Sequence, residues 1–573
     1  MKTEIIEDFS GGINNTLSPN RVAKNELATS SNCWYDVNAI KARGAFKTGV
    51  ASGSALITFG SKTYAPDISQ GSKVIVIGST SYVINVAYLT SASNAIIPIV
   101  IQNPDSVTDD WLAVTYGVGT VATTNGSAVI TGSGTTWTGS VRANDLFTIN
   151  TSGQTQVGLV STVDSDTQIT LTANWTTTNA AGTAYRISPS FTSLLVPSFD
   201  VINSKVYMTA RNRMPGYWNA TSFFNNTNSP ICQFYKVHKN YMFAANTAAN
   251  PSRVSWSAIK DAETWPASNF IDVSPDDGQL IVGLFSDGQS LLIIKKRSIY
   301  RLTGDIFDPS NPTYVLTKVY TPPECAFDSD RTFAIFNGTL IFYGGTGFYQ
   351  YDGNVVTRFP VSDNLLGTLN AAALIPANFN AYEAVGSGQQ AITYNGDYWI
   401  TSTQGSTYGN ILMLDRNLKW WIFSPPDTTG RTYDFFIKES ASTTTYNSLW
   451  TLIRNSSGVT GTYLLDQSFS NETINASFTT RVFQYAKKQR FGLAYLHFKR
   501  ASTGTISFGY KVDEGTTVTV TIDMTTGSGN RAKSPPIMIG RVGQAIQFVI
   551  SHNASAEDFE VYAIEFERQD FVV

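Results

Sequence analysis

The sequence predicts an all-β chain: a β-propeller core with an inserted small β-barrel or sandwich module and a C-terminal β-sandwich domain. Three observations carry this expectation. Apolar runs repeatedly flank tight turns, helical periodicity is almost absent, and the turns recur at the spacing of propeller blades. The clearest unit is "LIVGLFSDGQSLLIIKKRSIYRLTG" from Leu280, where two apolar runs bracket Asp287-Gly288, a strong two-residue hairpin signal. Comparable units begin at Lys73, Asp200, Phe234, Arg331, Ala391 and Tyr446. Their turn residues Ser204, Lys239, Gly288, Gly338, Gly396 and Asn447 follow one another at intervals of 35 to 58 residues, against roughly 40 to 50 for common propeller blades. A blade buries its faces only against its neighbours, so the ring must close; five to seven blades are expected. Short helical pieces are expected only near Arg21 to Ser31 and from Asn364.

Two segments depart from the blade rhythm. From Gly119 to Ser190 the chain is rich in Thr, Gly and Ser, with alternating strands about ten residues apart, and reads as an inserted module in an exposed loop. From Asn471 the strands lengthen and alternate apolar and polar residues, the pattern of an antiparallel sandwich. The expected organisation is therefore an N-terminal arm over 1–50, a propeller over 51–118 plus 191–470, an inserted β-module over 119–190 and a C-terminal sandwich over 471–573.

The composition limits the function classes. Charged residues make up 14% of the 573, and the formal net charge is −3, whereas soluble proteins carry roughly 25% charged residues. A surface of short uncharged polar groups suits a subunit packed against others, and the charge balance gives no global grip on nucleic acid. Cys33, Cys232 and Cys325 are too far apart for a CxxC metal site and are expected to be buried thiols. The opening "MKTEIIEDFSGGINNTLSPNR" lacks the basic start and apolar core of a leader, so a soluble product is expected.

Chemistry is sparse. His238, His497 and His552 are the only histidines, and no two share a ligand spacing. The acidic pairs Asp109-Asp110, Asp276-Asp277 and Asp328 with Asp330 match ordinary turn chemistry better than paired catalytic acids. Lys295-Lys296-Arg297 and Lys487-Lys488 with Arg490 read as solvated strand-edge protection. The expectation is a chain that is not an enzyme, with no catalytic residue, no cofactor and no metal.

Two stretches nevertheless look like a known group. "SWSAIKDAETWPASNFIDVSPDDGQLIVGLFSDGQSLLIIKKRSIYRLTGD" and the opening "DFSGGINNTLSPNRVAKNELATSSNCWYDVNAIKARGAF" resemble segments of tailed-bacteriophage tail hub or nozzle proteins, a β-propeller group that includes packaged-DNA stabilisation proteins. Phe9, Gly11, Gly12 and Asn14 match that group's opening, and Arg43-Gly44 ends it. The inserted segment is similar to a small β-module of phage structural proteins. The resemblance implies a virion tail protein made in the host bacterial cytoplasm. It implies a homo-oligomeric, six-copy ring below the portal-adaptor proteins, bearing tail fibre or spike proteins and passing DNA through its lumen without sequence-specific binding. Phe9, Gly11, Gly12 and Asn14 are then candidate assembly-interface residues, the Gly-Gly step being either a strap to a neighbouring subunit or a plain turn. The alternative is a carbohydrate-binding or sialidase-like propeller, prompted by 11 Trp and 27 Tyr; "SPDDGQLI" lacks the Trp of an Asp-box.

Overall fold

The computed structural model describes residues 1–43, 117–188, 198–304, 313–361, 390–424 and 473–571, apart from short loop positions within them, and strands lying between 46 and 113 and between 431 and 465. Gly44, Asp109, Asp110, Ser204, Asp328, Asn447 and the helical stretch expected from Asn364 lie outside the described residues.

Among the described residues, seven four-stranded antiparallel sheets follow one another, over 73–113, 198–225, 232–272, 281–319, 334–358, 391–423 and 431–465. They are the blades of a propeller. The second to sixth are simple meanders, whereas the seventh takes its fourth strand from Phe46–Thr48; the first strands of the second and third, third and fourth, fifth and sixth, and sixth and seventh blades pack beside one another, and Arg431–Lys438 of the seventh also packs against Lys73–Ile77 of the first. The second strand of a blade is covered on both faces, which is why it reads as an unbroken apolar run: Leu291–Lys295 is buried throughout, and Tyr241–Thr247 nearly so. The turns use the residues that the backbone demands. Lys239 and Asn240 both have positive φ, as do Asn337 with Gly338 and Asn395 with Gly396, the signature of a two-residue turn that matches strand twist.

Aromatic side chains fill the seams between blades. Phe348 of the fifth blade meets Trp420 of the sixth at 4.6 Å, and Phe333, leading into the fifth blade, stacks on Phe342 at 4.3 Å.

The inserted module is a barrel. Its strand order ends on Asn179–Thr183 at one side and Tyr185–Ser188 at the other; these are consecutive in the chain, so one nearly continuous strand pairs with both edges and closes the sheet. Trp137, Phe147, Trp175 and Tyr185 form its core, and Trp137 donates its indole hydrogen to the Tyr185 hydroxyl at 2.9 Å.

The C-terminal sandwich is a single eleven-stranded sheet folded on itself. Strand Ile537–Ser555 changes partners along its 19 residues. Its first half pairs with Phe483–Lys499, and its second half lies between Thr473–Thr480 and Thr505–Val512.

Residues 1–50 do not form a separate arm. Lys2–Ile6 pairs with Glu560–Asp570, Leu27–Ser31 with Thr473–Thr480, and the hairpin Cys33–Asp36/Ala39–Ala42 adds to Glu560–Asp570. Phe46–Thr48 then supplies the outer strand of the seventh blade. The helix expected near Arg21 to Ser31 is a turn followed by a strand. Its small residues suit a helix, but pairing with Thr473–Thr480 offers hydrogen bonds from far along the chain that local periodicity cannot register.

Candidate functional site

The four candidate interface residues are buried within their own chain. Phe9 is 1% exposed and meets Phe478 of the sandwich edge-on at 5.6 Å. Gly11 donates its N–H to the Asn25 carbonyl at 2.9 Å, and a Cβ there would lie 2.6 Å from that oxygen. Gly12 has φ +71°, and its Cβ would lie 2.8 Å from Cβ of Lys419 in the sixth blade, so both close approach and backbone conformation require glycine. Ile13 N–H reaches the Trp420 carbonyl at 3.3 Å. Asn14 donates to Glu26 Oε2 at 3.0 Å, an oxygen that also accepts from Ala23 N–H.

A residue missed by the sequence reading completes this junction. Asn32, at φ 55°, donates from Nδ2 to the Asn475 carbonyl at 2.9 Å and from its backbone to the Ile422 carbonyl at 2.8 Å. Its Oδ1 accepts from Arg43 Nε at 3.0 Å and from Ser424 N–H at 2.7 Å. One buried amide thus ties sandwich, sixth blade and the Arg43 step together. Its only local signal is an Asn in a strand-rich context, where a left-handed residue marks a turn. Below it, Trp399, Met413, Trp421 and Phe423 of the sixth blade share one core with Phe478, Phe548 and Phe566 of the sandwich.

The second family-like stretch is also spent on architecture. In "SWSAIKDAETWP", Glu263 accepts from Lys205 Nζ and, at 3.0 Å, from the Tyr207 hydroxyl, both in the preceding blade. Asn226 and Asn228 reach the carbonyls of Ala262 and Glu263. The loop clasps the second blade to the third. Burial, reinforced by the Glu263 carboxylate, pushes the Tyr217 hydroxyl up to about 12. Further on, Lys295 is fully buried, against the expectation of a solvated strand edge. Its ammonium donates to Asp277 Oδ1 at 2.6 Å, to the Val273 and Ser274 carbonyls at 2.8 and 2.9 Å, and to Ser252 Oγ at 3.2 Å. Four acceptors make a buried cation tolerable. The "SPDDG" turn carries left-handed Ser274 and Gly278 to deliver Asp277.

Polar contacts link the first strands of some blades and the residues leading into them. Lys236 lies 3.6 Å from Asp200 of the preceding blade, whose carboxylate also accepts Val237 N–H at 3.0 Å. Asp330 accepts Leu284 N–H at 3.1 Å, Gly283 leaving room for it. Surrounding protein raises the Asp330 carboxyl above the usual carboxylate range, against the opposing effects of the Leu284 hydrogen bond and Lys236. Arg331 reaches Gln390 Oε1 at 3.0 Å. Each contact spans consecutive blades, so these groups latch the second blade to the third, the fourth to the fifth and the fifth to the sixth.

The three histidines stay apart. His238, in the third blade, bonds Ser286 Oγ at 2.8 Å, and burial, aided by Lys239, pushes it down to about 4. His497 contacts Glu565, while His552 stacks on Phe559 and meets the Thr505 carbonyl. The three cysteines are buried, and desolvation raises all three thiols, Cys232 and Cys325 to about 12. Several surface rings carry cations: Lys533 over Tyr495 at 3.9 Å, Arg531 over Tyr562 at 4.2 Å and Arg253 over Phe270 at 3.8 Å. Those faces are covered where a sugar ring would stack.

No protein-family model matches the chain, and no curated protein matches it in sequence. Solved structures that it resembles include the N-terminal domain of Nup159, at 10% identity and TM-score 0.28, covering 61% of this chain and 95% of that one. An exo-beta-1,3-galactanase from Phanerochaete chrysosporium gives 10% identity and TM-score 0.21 over 86% of this chain and 100% of that one. An Aleuria aurantia lectin in complex with alpha-methyl-L-fucoside gives 7% and 0.27 over 47% and 91%. At these scores the ligands of those proteins are not transferred to this chain.

Proposed function

We propose that the chain is a structural, non-enzymatic subunit of a bacteriophage tail, a hub or nozzle protein. In this reading its copies form a ring below the portal-adaptor proteins, which conducts and gates DNA during genome retention and ejection. The observation that carries the reading is the use made of the opening segment. The residues through which the chain resembles that group, Phe9 to Asn14 and Arg43, join the sandwich to the sixth blade. A wall that holds back packed DNA has to transmit force between its modules, and a shared core with a buried amide at the seam suits that task.

The charge balance agrees with a conduit. Retained phosphate contacts would hold DNA through release of counterions, and a chain of formal charge −3 offers few such contacts. Tail fibre or spike proteins are the expected outer partners.

The test is the mass of the purified protein in solution, alone and after mixing with a portal-adaptor complex. A closed ring of copies on that complex is the expected result. A chain that never assembles there, yet is retained on a glycan array, would overturn the reading in favour of a carbohydrate-binding propeller.

A further inference from the structure

Three Asn-Gly steps occur in the chain, at Asn125-Gly126, Asn337-Gly338 and Asn395-Gly396. All three asparagines are exposed. At such a step the side-chain amide is open to attack by the next backbone nitrogen, because glycine has no Cβ to shield it. What separates the three is how the fold holds that nitrogen.

At the barrel's step the nitrogen is engaged. Gly126 donates its N–H to the Trp175 carbonyl at 2.8 Å, Asn125 donates its own to Thr178 Oγ1 at 3.0 Å, and Ser127 closes the turn onto the Thr124 carbonyl at 3.1 Å. A nitrogen whose proton is held by a carbonyl cannot release it for attack, so the turn must first open locally. The other two steps are the turns between first and second strands of the fifth and sixth blades, closed by the pairs Phe336 with Thr339 and Tyr394 with Asp397. A two-residue turn leaves its second N–H outside the ladder, and among the described residues neither Gly338 nor Gly396 N–H has an acceptor. Asn337 and Asn395 are moreover held at φ 48° and 50°, a left-handed conformation that an L-residue leaves readily. Both steps adjoin Arg416: Asn337 Nδ2 donates to its carbonyl at 3.4 Å, and a Cβ on Gly396 would lie 3.1 Å from its Nε.

We infer that Asn337 and Asn395 are sites of spontaneous deamidation in the folded protein, while Asn125 is protected. The glycine nitrogen bonds to Cγ of the asparagine, the bond from Cγ to Nδ2 breaks, and the glycine proton leaves with Nδ2 as ammonia. Water then opens the resulting cyclic imide. Breaking the new bond restores the backbone with an aspartate; breaking the original peptide bond reroutes the chain through the side chain as isoaspartate. At Asn337 either product loses the amide that reaches Arg416, and isoaspartate also lengthens a turn that has room for two residues. Both marks fall beside the seam of the fifth and sixth blades, where Thr393 Oγ1 reaches the Ile335 carbonyl at 2.7 Å and the Tyr398 hydroxyl the Thr332 carbonyl at 2.8 Å. The seam therefore slackens as the protein ages.

The experiment incubates the purified full-length protein at mildly alkaline pH in oxygen-18 water and follows the three asparagines by peptide mass spectrometry, beside a sample unfolded in guanidinium. The heavy oxygen marks conversion during the incubation and not during digestion. In the folded protein labelled aspartate and isoaspartate are expected at Asn337 and Asn395. Asn125 should convert at least about tenfold more slowly, the scale of one net hydrogen bond that has to open first. In the unfolded chain the three rates should come together. Equal conversion at all three in the folded protein, or none at Asn337 and Asn395 while the unfolded chain converts there, would overturn the inference.

Discussion

At the residue scale, buried polar groups set the expectations. Lys295→Met keeps the apolar stem but leaves the Asp277 carboxylate and two carbonyls without their donor. Breaking such a pair costs about 3 kcal/mol, and the urea midpoint should fall accordingly. Gly12→Ala places a Cβ against Lys419 at positive φ; a loss of about 2 kcal/mol is expected in the same assay. Two titrations oppose each other. Burial raises Asp397 from 3.8 to about 6, against the hydrogen bond and charge of Arg416. The folded state therefore takes up its proton first, and this carboxyl favours folding increasingly as pH falls from about 6 towards 3.8. His238, lowered from 6.5 to about 4, does the reverse: its contribution is complete above 6.5 and is lost as pH falls towards 4. Each swing is on the order of 2–3 kcal/mol. Relative to the unmodified chain, Asp397→Asn should gain stability at pH 7 and lose that advantage by pH 4. His238→Gln should resist acid better between pH 6.5 and 4. Urea midpoints across that range check both, and parallel curves for all three proteins would contradict the assignment.

At the element scale, legibility follows the range of the interactions. Blade hairpins were readable because each is specified by a local alternation of apolar run and Gly or Asn turn, as at Asn337-Gly338; the turn expected at Asp287-Gly288 lies one residue on, around Gly288 and Gln289, with Asp287 N–H reaching the Ser290 carbonyl. The barrel was readable because its strands and turns lie within one continuous segment. The placement of residues 1–50 was not readable, since Lys2–Ile6 finds its partner some 560 residues away, and no window of sequence contains both. The junction is likewise half legible. Phe9, Gly11, Gly12 and Asn14 stand out as a motif, but Asn32 does not, because its importance comes from four partners on three elements. Lys295 looked like an edge lysine because charge next to an apolar run usually faces water. Here the "SPDDG" turn folds over it. One prediction belongs at this scale. The barrel's sheet closes through Asn179–Thr183 and Tyr185–Ser188 around its own core, so a fragment covering 117–188 should fold alone. Heating it should give one cooperative transition by circular dichroism, and Trp137→Ala should abolish that transition.

At the scale of the whole molecule, propeller and sandwich are a single mechanical unit sharing one core, with the barrel as an appendage. Deleting residues 1–48 would strip three edges at once: the outer strand of the seventh blade, two strands beside Glu560–Asp570 and the partner of Thr473–Thr480. The truncated protein should be insoluble or open to proteolysis throughout propeller and sandwich, while the barrel survives as a resistant fragment. The strand Phe46–Thr48 has a further consequence, in time. It leaves the ribosome early, yet its partner Thr460–Leu465 is made more than four hundred residues later. At roughly 5–20 residues per second, the first-made end of the chain waits at least about twenty seconds with an unpaired edge. A cell making many copies at once therefore exposes many such edges together, and closure of each ring competes with pairing between neighbouring nascent chains.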